Sequence, residues 1–149
     1  MREEGRIYWA GKEDLRDLAI LAHKLWPDAP VSELKEEFEE MMACPEVALF
    51  LCRREGVACA FAQVQLRHDY VEGTESSPVA YLEGIFVESE CRQQGIGRAL
   101  VLACQNWACE QGVHEFASDC LLENQESLQF HLAVGFREAN RLICFVKSI

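Results

Sequence analysis

The stretch that decides the fold runs from Pro78 to Gly112 and reads PVAYLEGIFVESECRQQGIGRALVLACQNWACEQG. Its first part, residues 79–87, is an apolar run typical of a buried strand, and only Glu83 and Gly84 interrupt it. After a polar turn, apolar side chains recur at the spacing of one helix face, at Ile96, Leu100, Ala103 and Trp107. Gly112 is suited to end that helix. The stretch therefore predicts a strand, a glycine-rich turn and a helix.

The turn before this helix has the chemistry of an anion site. The first N–H groups of a helix have no partner within the helix and carry the positive end of its dipole. Gly95 and Gly97 lack a Cβ, so a phosphate oxygen can approach their backbone closely. Two glycines also suit a plain tight connection, and that alternative stays open. The dinucleotide-binding pattern is excluded because Leu100 stands where its third glycine would be.

Composition restricts the partners of the chain. Its 149 residues suit one domain spanning 1–149, and the formal net charge of −11 is strongly acidic. Such a surface repels nucleic acids and anionic membranes and attracts cationic molecules, although acidity also serves solubility alone. We therefore expect a cationic small-molecule partner and neither a nucleic acid nor a membrane.

The amino terminus and the cysteines indicate a cytosolic protein. The first six residues are charged where a secretory signal would be apolar, and no run of about 20 apolar residues follows. The eight cysteines include no Cys-x-x-Cys pair. Cys52, Cys59 and Cys144 lie in apolar runs, so most of the cysteines are interpreted as small buried residues, and we expect no metal site.

Strands and helices alternate along the chain. We predict strands at 6–10, 47–52, 57–66, 79–87, 115–120 and 141–147, and helices at 13–26, 32–42, 96–111 and 123–134. Ser32 is the predicted N-cap of the second helix. The polar segment 67–77 is a predicted surface loop. Because the strand at 115–120 follows a helix, we expect it to run parallel to the strand at 79–87. The sum is an α/β fold, a mixed sheet with helices on both faces.

Two carboxylates occupy unusual positions in the predicted strands: one lies within an apolar strand and the other at the end of the next strand. Glu83 lies mid-strand, and a buried carboxylate is costly unless it is paired or solvated, so it either reaches a cleft or has an internal basic partner. Gly84 beside it indicates a backbone that another group approaches closely. Asp119 ends the next strand, where ligands bind in open α/β sheets, although a turn residue is equally suited to that place. The two carboxylates are predicted to face one pocket.

The segment Arg92–Leu100, RQQGIGRAL, resembles the R/Q-x-x-G-x-G/A signature of the GCN5-related N-acetyltransferases (GNAT). The resemblance implies a GNAT fold, in which a mostly antiparallel sheet has a central parallel pair splayed around acetyl-CoA, the cosubstrate. It implies that the loop amides hold the coenzyme pyrophosphate. The implied coenzyme-binding residues are Ile85, Phe86, Val87, Arg92, Gln93, Gln94, Gly95, Ile96, Gly97, Arg98 and Asn124. For Asn124, simple N-capping of the last helix is the alternative.

Further segments resemble one group within that family, the aminoglycoside 6′-N-acetyltransferases. They are Leu25-Trp26-Pro27, residues 67–71, residues 76–79, residues 82–87, residues 117–119 and Gly135-Phe136. The resemblance implies transfer of an acetyl group to the 6′-amine of these polycationic antibiotics, resistance as the outcome, and a homodimer. It implies an acidic substrate site lined by Trp26, Tyr70, Glu83 and Asp119, in which the aromatic rings cover sugar faces or ammonium groups. Either ring also suits plain packing.

Transfer in this family is direct attack of a neutral amine on the thioester, so the residues needed are proton carriers. Glu83 or Asp119 is the candidate acceptor of the ammonium proton, directly or through water. A strand N–H near 85–87 is suited to polarise the carbonyl. His131 stands where many members have a tyrosine that protonates the thiolate; it is the candidate acid, or else a packed or surface histidine.

Two other functions fit the same residues. The acceptor is then a polyamine, another small amine or a protein amino terminus, or the chain binds coenzyme A as a regulator without turnover. The glycine loop suits all three functions, and the pocket residues discriminate among them.

Overall fold

The computed structural model describes residues 6–149, and the charged residues before Arg6 lie outside them. A five-stranded sheet has the order β1-β2-β3-β4-β5. The strands are β1 Ile7–Trp9, β2 Val47–Arg54, β3 Val57–Arg67, β4 Val79–Val87 and β5 Phe116–Ala117, and the helices are α1 Leu15–Leu25, α2 Val31–Met42, α3 Ile96–Glu110 and α4 Gln125–Ala133. Short 3₁₀ turns cover Lys12–Asp14 and Ser89–Cys91. Neighbours from β1 to β4 are antiparallel, whereas β4 and β5 are parallel, as predicted.

Helices cover both faces of the sheet because the strands alternate two apolar sets. One set, which includes Ala62 and Leu82, packs on α3 through Leu100 and Trp107. The opposite set, which includes Leu51 and Phe61, packs on α1 and α2 through Leu18 and Phe38. The prediction of a mixed sheet between helices is confirmed.

The alternation of side chains between the two faces of the sheet shifts by one residue inside β4. Gln63 of β3 pairs with Gly84, but the next residue, Val64, pairs with Leu82, so Glu83 is one extra residue in the ladder. Ala80 and Leu82 pack on the α3 side before this bulge, and Ile85 and Val87 do so after it. Glu83 and Gly84 therefore both lie toward the face that carries α1 and α2. The bulge allows a carboxylate and a glycine to occupy the same face in succession.

Three predicted elements differ from the structure. The second helix begins at Val31, with Pro30 rather than Ser32 as N-cap, because the extended Pro30 (φ −63°, ψ 149°) presents its carbonyl to the N–H of Leu34 at 3.0 Å. The predicted strand at 141–147 does not form: residues 141–149 are exposed and without regular structure. The predicted strand would need β5 as its neighbour, but β5 has only two residues and is too short to pair with it. The strand predicted at 115–120 is accordingly shorter.

A buried ionic network ties the first turn of the chain to β2. Asp14, 3% exposed, accepts hydrogen bonds from Tyr8 Oη at 2.9 Å, from Arg53 Nη2 at 2.9 Å and from the Gly11 N–H at 3.0 Å. Burial alone would raise the pKa of Asp14, but the hydrogen bonds from Gly11, Arg53 and Tyr8 outweigh it and lower the pKa below its usual value. The folded state therefore favours the ionised carboxylate.

We expect Asp14→Asn to lower the free energy of unfolding at pH 7 by about 3 kcal/mol, because it removes the buried charged partner of Arg53, which keeps only the more exposed Asp17. A lowered folded-state pKa stabilises the fold above the unfolded pKa, and that stabilisation is lost as the pH falls below about 4. The difference between wild type and Asp14→Asn should therefore shrink in urea denaturation below that pH. The exposed Asp28→Asn serves as control, and a difference that stays constant down to pH 3 would contradict the assignment.

Candidate functional site

The two candidate carboxylates lie in one connected cluster. Glu83 accepts two hydrogen bonds from Arg67 at the end of β3, Nε to Oε2 at 2.8 Å and Nη2 to Oε1 at 2.6 Å. The Glu83 side chain is 15% exposed and that of Arg67 is 38% exposed. Of the two alternatives that the sequence leaves open, the structure thus supplies the basic partner. The pair lies at the sheet surface, where one partner is still reached by solvent.

Tyr81 connects this pair to Asp119. Its hydroxyl donates to Asp119 Oδ2, and the guanidinium carbon of Arg67 lies 3.4 Å from the centre of its ring. Burial and the nearby Asp119 raise the pKa of Tyr81, so the phenol stays neutral and remains a donor. We call Arg67, Tyr81, Glu83 and Asp119 the carboxylate cluster. It brings Glu83 and Asp119 together through two side chains and leaves Asp119 exposed.

The two predicted aromatic residues have different surroundings. Trp26, directly after α1, packs edge-on against Phe61 at 6.0 Å between ring centres. Its ring covers Gly84 so closely that a Cβ there would lie 2.5 Å from a ring atom. Trp26 therefore borders the bulge that carries Glu83, and the expected close approach to Gly84 is a side-chain ring. Tyr70 lies on the loop after β3 and is 78% exposed.

The glycine loop before α3 has the backbone expected of an anion site. Gly95 is the N-cap in the left-handed region (φ 81°), without a side-chain cap, and Gln93 also has a positive φ of 61°. Gly97 serves packing, because a Cβ there would meet the Phe130 ring of α4 at 2.8 Å. The first turn of α3, at Ile96, therefore starts with backbone N–H groups that no side chain caps, and α4 lies close beside it.

Several side chains that the resemblance assigns to the coenzyme make contacts within the chain. Arg92 donates from Nε to the Val87 carbonyl at 2.9 Å and from Nη1 to Glu126 of α4 at 3.1 Å. Arg98 donates to the carbonyl of Ala133 at 2.7 Å, at the end of the same helix. Gln94 accepts from Arg54. These contacts hold the glycine loop and α3 against α4 and the sheet.

The parallel pair separates beyond its first residues. Ladder pairing between β4 and β5 covers only Ala80 with Phe116 and Tyr81 with Ala117. The second half of β4, which carries Ile85, Phe86 and Val87, continues past the end of β5 toward the glycine loop. Such a separation is what the GNAT resemblance implies for the place of acetyl-CoA.

His131 and Asn124 are both engaged in and around α4. Nδ1 of His131 lies 2.7 Å from the carbonyl oxygen of Ser127, which only accepts, so Nδ1 carries a proton, and Nε2 lies 2.8 Å from the Ser118 hydroxyl. The ring packs against Phe136 at 5.3 Å between centres. Asn124 accepts the N–H of Ser127 at 3.1 Å, which is the N-capping contact weighed as its alternative.

Sequence reasoning missed three residues of the site. Arg67 and Tyr81 belong to the carboxylate cluster, and Ser118 contacts His131. A signal existed for Arg67: Gln63, Gln65 and Arg67 recur with the period of two residues that marks one strand face, whereas the residues between them are apolar. Tyr81 gave no such signal, because a tyrosine in an apolar strand suits ordinary core packing.

Residues 6–149, which the structure describes, contain neither a candidate metal cluster nor a membrane-spanning helix. No three His, Cys, Asp or Glu side chains converge as a metal site requires. No helix in this part of the chain has the length and apolar character needed to cross a bilayer.

The fold and the glycine loop define the class of protein. Residues 13–136 match the profile of the Acetyltransferase (GNAT) family, and the chain belongs to this family.

Two relatives with assigned functions are both aminoglycoside N(6')-acetyltransferases. An aminoglycoside N(6')-acetyltransferase type 1 of Stenotrophomonas maltophilia is 45% identical over 140 residues, which cover 93% of this chain and 90% of that protein. The enzyme of that name in Salmonella typhimurium is 42% identical over 127 residues, covering 85% and 88%.

Solved structures agree with the sequence relatives. AAC(6')-Iy in complex with the bisubstrate analog CoA-S-monomethyl-acetylneamine is 39% identical, with a TM-score of 0.92 over 97% of this chain and 98% of that one. The aminoglycoside 6'-N-acetyltransferase AAC(6')-Ih from Acinetobacter baumannii is 37% identical, with a TM-score of 0.90 over 97% and 98%. Both structures cover nearly the whole chain.

The contact between Gly84 and Trp26 yields a stability prediction. Gly84→Ala places a methyl group into the Trp26 ring, and we expect it to lower the free energy of unfolding by about 1–3 kcal/mol. In the double variant with Trp26→Ala the ring is absent, so the added methyl should have little effect. Urea denaturation of the four proteins of this cycle measures the coupling. Equal destabilisation by Gly84→Ala in both backgrounds would show that the ring is not the cause.

Proposed function

We propose that this chain transfers the acetyl group of acetyl-CoA to the 6′-amine of aminoglycosides, and that it gives resistance to these antibiotics. The observation that carries the proposal is the position of Glu83 and Asp119, two carboxylates beside the point where β4 and β5 separate. A polycationic acceptor needs such carboxylates, and a GNAT donor lies along that separation. The names and ligands of the relatives support the same pair of substrates.

The donor side of the proposed site uses the glycine loop. The backbone N–H groups of residues 93–97 and of the first turn of α3 are suited to the pyrophosphate of acetyl-CoA. Ile85, Phe86 and Val87 of β4 would line the pantetheine arm, with Asn124 at the start of α4. Arg92 and Arg98 hold this frame to α4 through Glu126 and Ala133. Acetyl-CoA supplies the activated thioester.

The acceptor side uses the carboxylate cluster. Glu83 and Asp119 attract the ammonium groups of the acceptor, and Trp26 and Tyr70 offer aromatic faces to it. One of the two carboxylates, directly or through water, receives the proton of the attacking amine. Because the amine itself is the nucleophile, positioning of the amine contributes most of the rate. His131 is the proposed source of the thiolate proton: in its doubly protonated form Nε2–H donates to Ser118 Oγ, and the Ser118 hydroxyl passes its own proton to the thiolate.

A turnover assay tests this function. Free thiol released from acetyl-CoA in the presence of kanamycin or tobramycin should appear at a rate far above that with spermidine or a peptide amino terminus. Turnover with those other amines alone would assign a different acceptor. Tight coenzyme binding without turnover of any amine would assign a regulator.

Single substitutions test the assigned residues. We expect Asp119→Ala and Glu83→Ala each to lower kcat/KM for the aminoglycoside by about 100-fold, the order that proton transfer and charge pairing contribute. The KM for acetyl-CoA should stay close to wild type, because both residues lie on the acceptor side. Glu110→Ala, an exposed carboxylate at the far end of α3, is the matched control. Parallel losses for donor and acceptor would show that the two residues support structure only.

We also propose a homodimer in a cytosolic location. The tail 141–149 exposes five large apolar side chains, among them Ile143, Phe145 and Val146 at 79% to 97%. The apolar residues of the tail are suited to a strand. The sheet of a second copy would supply the neighbouring strand with which the tail pairs. All eight cysteines are free thiols, as suits a reducing compartment.

Light scattering after size-exclusion chromatography tests the dimer. Wild type should elute with twice the mass of the chain, whereas Phe145→Lys and a chain ending at Asn140 should be monomers. Leu102→Lys removes another exposed apolar group, 53% exposed on α3, and should leave the dimer intact. A dimer that survives loss of the tail would place the interface elsewhere.

A further inference from the structure

Arg67 occupies the place where a substrate ammonium is expected to bind. Its guanidinium engages both oxygens of Glu83, at 2.8 and 2.6 Å, and lies 3.4 Å above the centre of the Tyr81 ring. A carboxylate beside an aromatic face is a favourable place for any cation. The chain therefore already fills its most buried cation subsite with a cation of its own.

We propose that Arg67 is an exchangeable counter-ion, which an ammonium group of the acceptor displaces from Glu83. Arg67 then determines specificity: an acceptor enters fully only if it carries an ammonium that replaces the guanidinium. The inference rests on the proposed function, since it concerns the same acceptor site. It adds that Arg67 competes with the acceptor for Glu83 and must be displaced before an ammonium group binds there.

The two carboxylates of the cluster differ in what they already hold. Asp119 is exposed and accepts from the neutral hydroxyl of Tyr81, so its charge is available to an incoming cation. Glu83 is 15% exposed and is neutralised by a two-point ion pair. An acceptor with several ammonium groups thus meets Asp119 first and reaches Glu83 only by exchange with Arg67.

The position of Arg67 permits the exchange. It is the last residue of β3, its side chain is 38% exposed, and the loop that follows opens toward solvent. The guanidinium therefore has water beside it and a short path away from Glu83. The pair is bidentate and Glu83 is 15% exposed, so loss of the guanidinium alone would be costly, but exchange keeps Glu83 paired because an ammonium takes the place of the guanidinium. Replacement by another cation at the same carboxylate is therefore cheap.

The pair raises the pKa of Arg67, chiefly through its hydrogen bond to Glu83, with the charge of Asp119 acting in the same direction. Arg67 consequently stays charged and competes at every pH at which the enzyme is folded. Its removal leaves the cluster with two uncompensated carboxylates in a chain of net charge −11. That change strengthens the field which attracts cationic acceptors.

The test compares Arg67→Gln, Arg67→Lys and the exposed Arg16→Gln as a control of equal charge change. Tobramycin is the probe, with its Kd measured by calorimetry and its KM by thiol release. We expect Arg67→Gln to lower both constants about two- to fivefold, on the scale of an ion pair whose cation, here 38% exposed, is partly screened by solvent. The effect on KM should exceed that on kcat, and the KM for acetyl-CoA should not follow it. Arg67→Lys, which keeps the charge but offers one contact, should fall between, and Arg16→Gln should match wild type.

The outcomes separate this inference from the proposed function. A higher Kd and KM in Arg67→Gln than in wild type would overturn the exchange and make Arg67 a residue that orients Glu83. Tobramycin binding by wild type without turnover would overturn the proposed function, while the calorimetric comparison would still decide the role of Arg67. If Arg67→Gln fails to fold by circular dichroism, the Kd of Arg67→Lys decides: a value at or above wild type overturns the exchange.

Discussion

The pairing of β3 with β4, and the single extra residue within it, is the constraint on which the site depends. A regular ladder would direct Glu83 and Gly84 to opposite faces of the sheet, because side chains alternate along a strand. The bulge directs both to one face, where the carboxylate meets Arg67 and the glycine admits the ring of Trp26. The same shift returns Ile85 and Val87 to the α3 face. One local irregularity thus serves both sides of the proposed reaction.

The donor side depends on close packing between two helices. Gly97 lets Phe130 of α4 approach α3, and Arg98 closes the contact at the far end through the Ala133 carbonyl. Asn124 begins α4 by capping it, and His131 fixes the helix to Ser118 after β5. These contacts hold the first turn of α3 in place without help from side-chain caps. An anion site made of backbone groups needs this rigidity, because its donors cannot be adjusted one at a time.

Much of this arrangement could be predicted from the sequence. The apolar runs at 47–52, 57–66 and 79–87, the helical period after Gly97 and the turn glycines are local signals, and they predict most of the sheet and helices. The identity of Glu83 as an unusual strand residue was also visible. The bulge was not, because register depends on which residues the neighbouring strand presents. The pairing of Arg67 with Glu83 follows from that register. Because the two residues are 16 positions apart in the chain, no local sequence signal predicts their contact.

The tail shows a different limit. Residues 141–147 have the composition of a strand, but composition cannot supply a neighbour, and β5 is only two residues long. A strand-like composition shows that a segment is able to form a strand. The strand forms only where a neighbouring strand is available to pair with it. The start of α2 illustrates the same point on a smaller scale, since Pro30, rather than the better capping side chain of Ser32, fixes where the helix begins.

The division of the sheet into two faces has an evolutionary consequence. Odd-numbered residues of β3 from Gln63 to Arg67 line the face that carries the carboxylate cluster, whereas Val64 and Leu66 belong to the core beneath α3. Substitutions at the odd positions can therefore alter which acceptors are used while the frame that holds the donor is left untouched. On this one strand, Gln65 and Arg67 are only partly buried and can vary at the least risk to folding, whereas Gln63, 6% exposed, is more constrained.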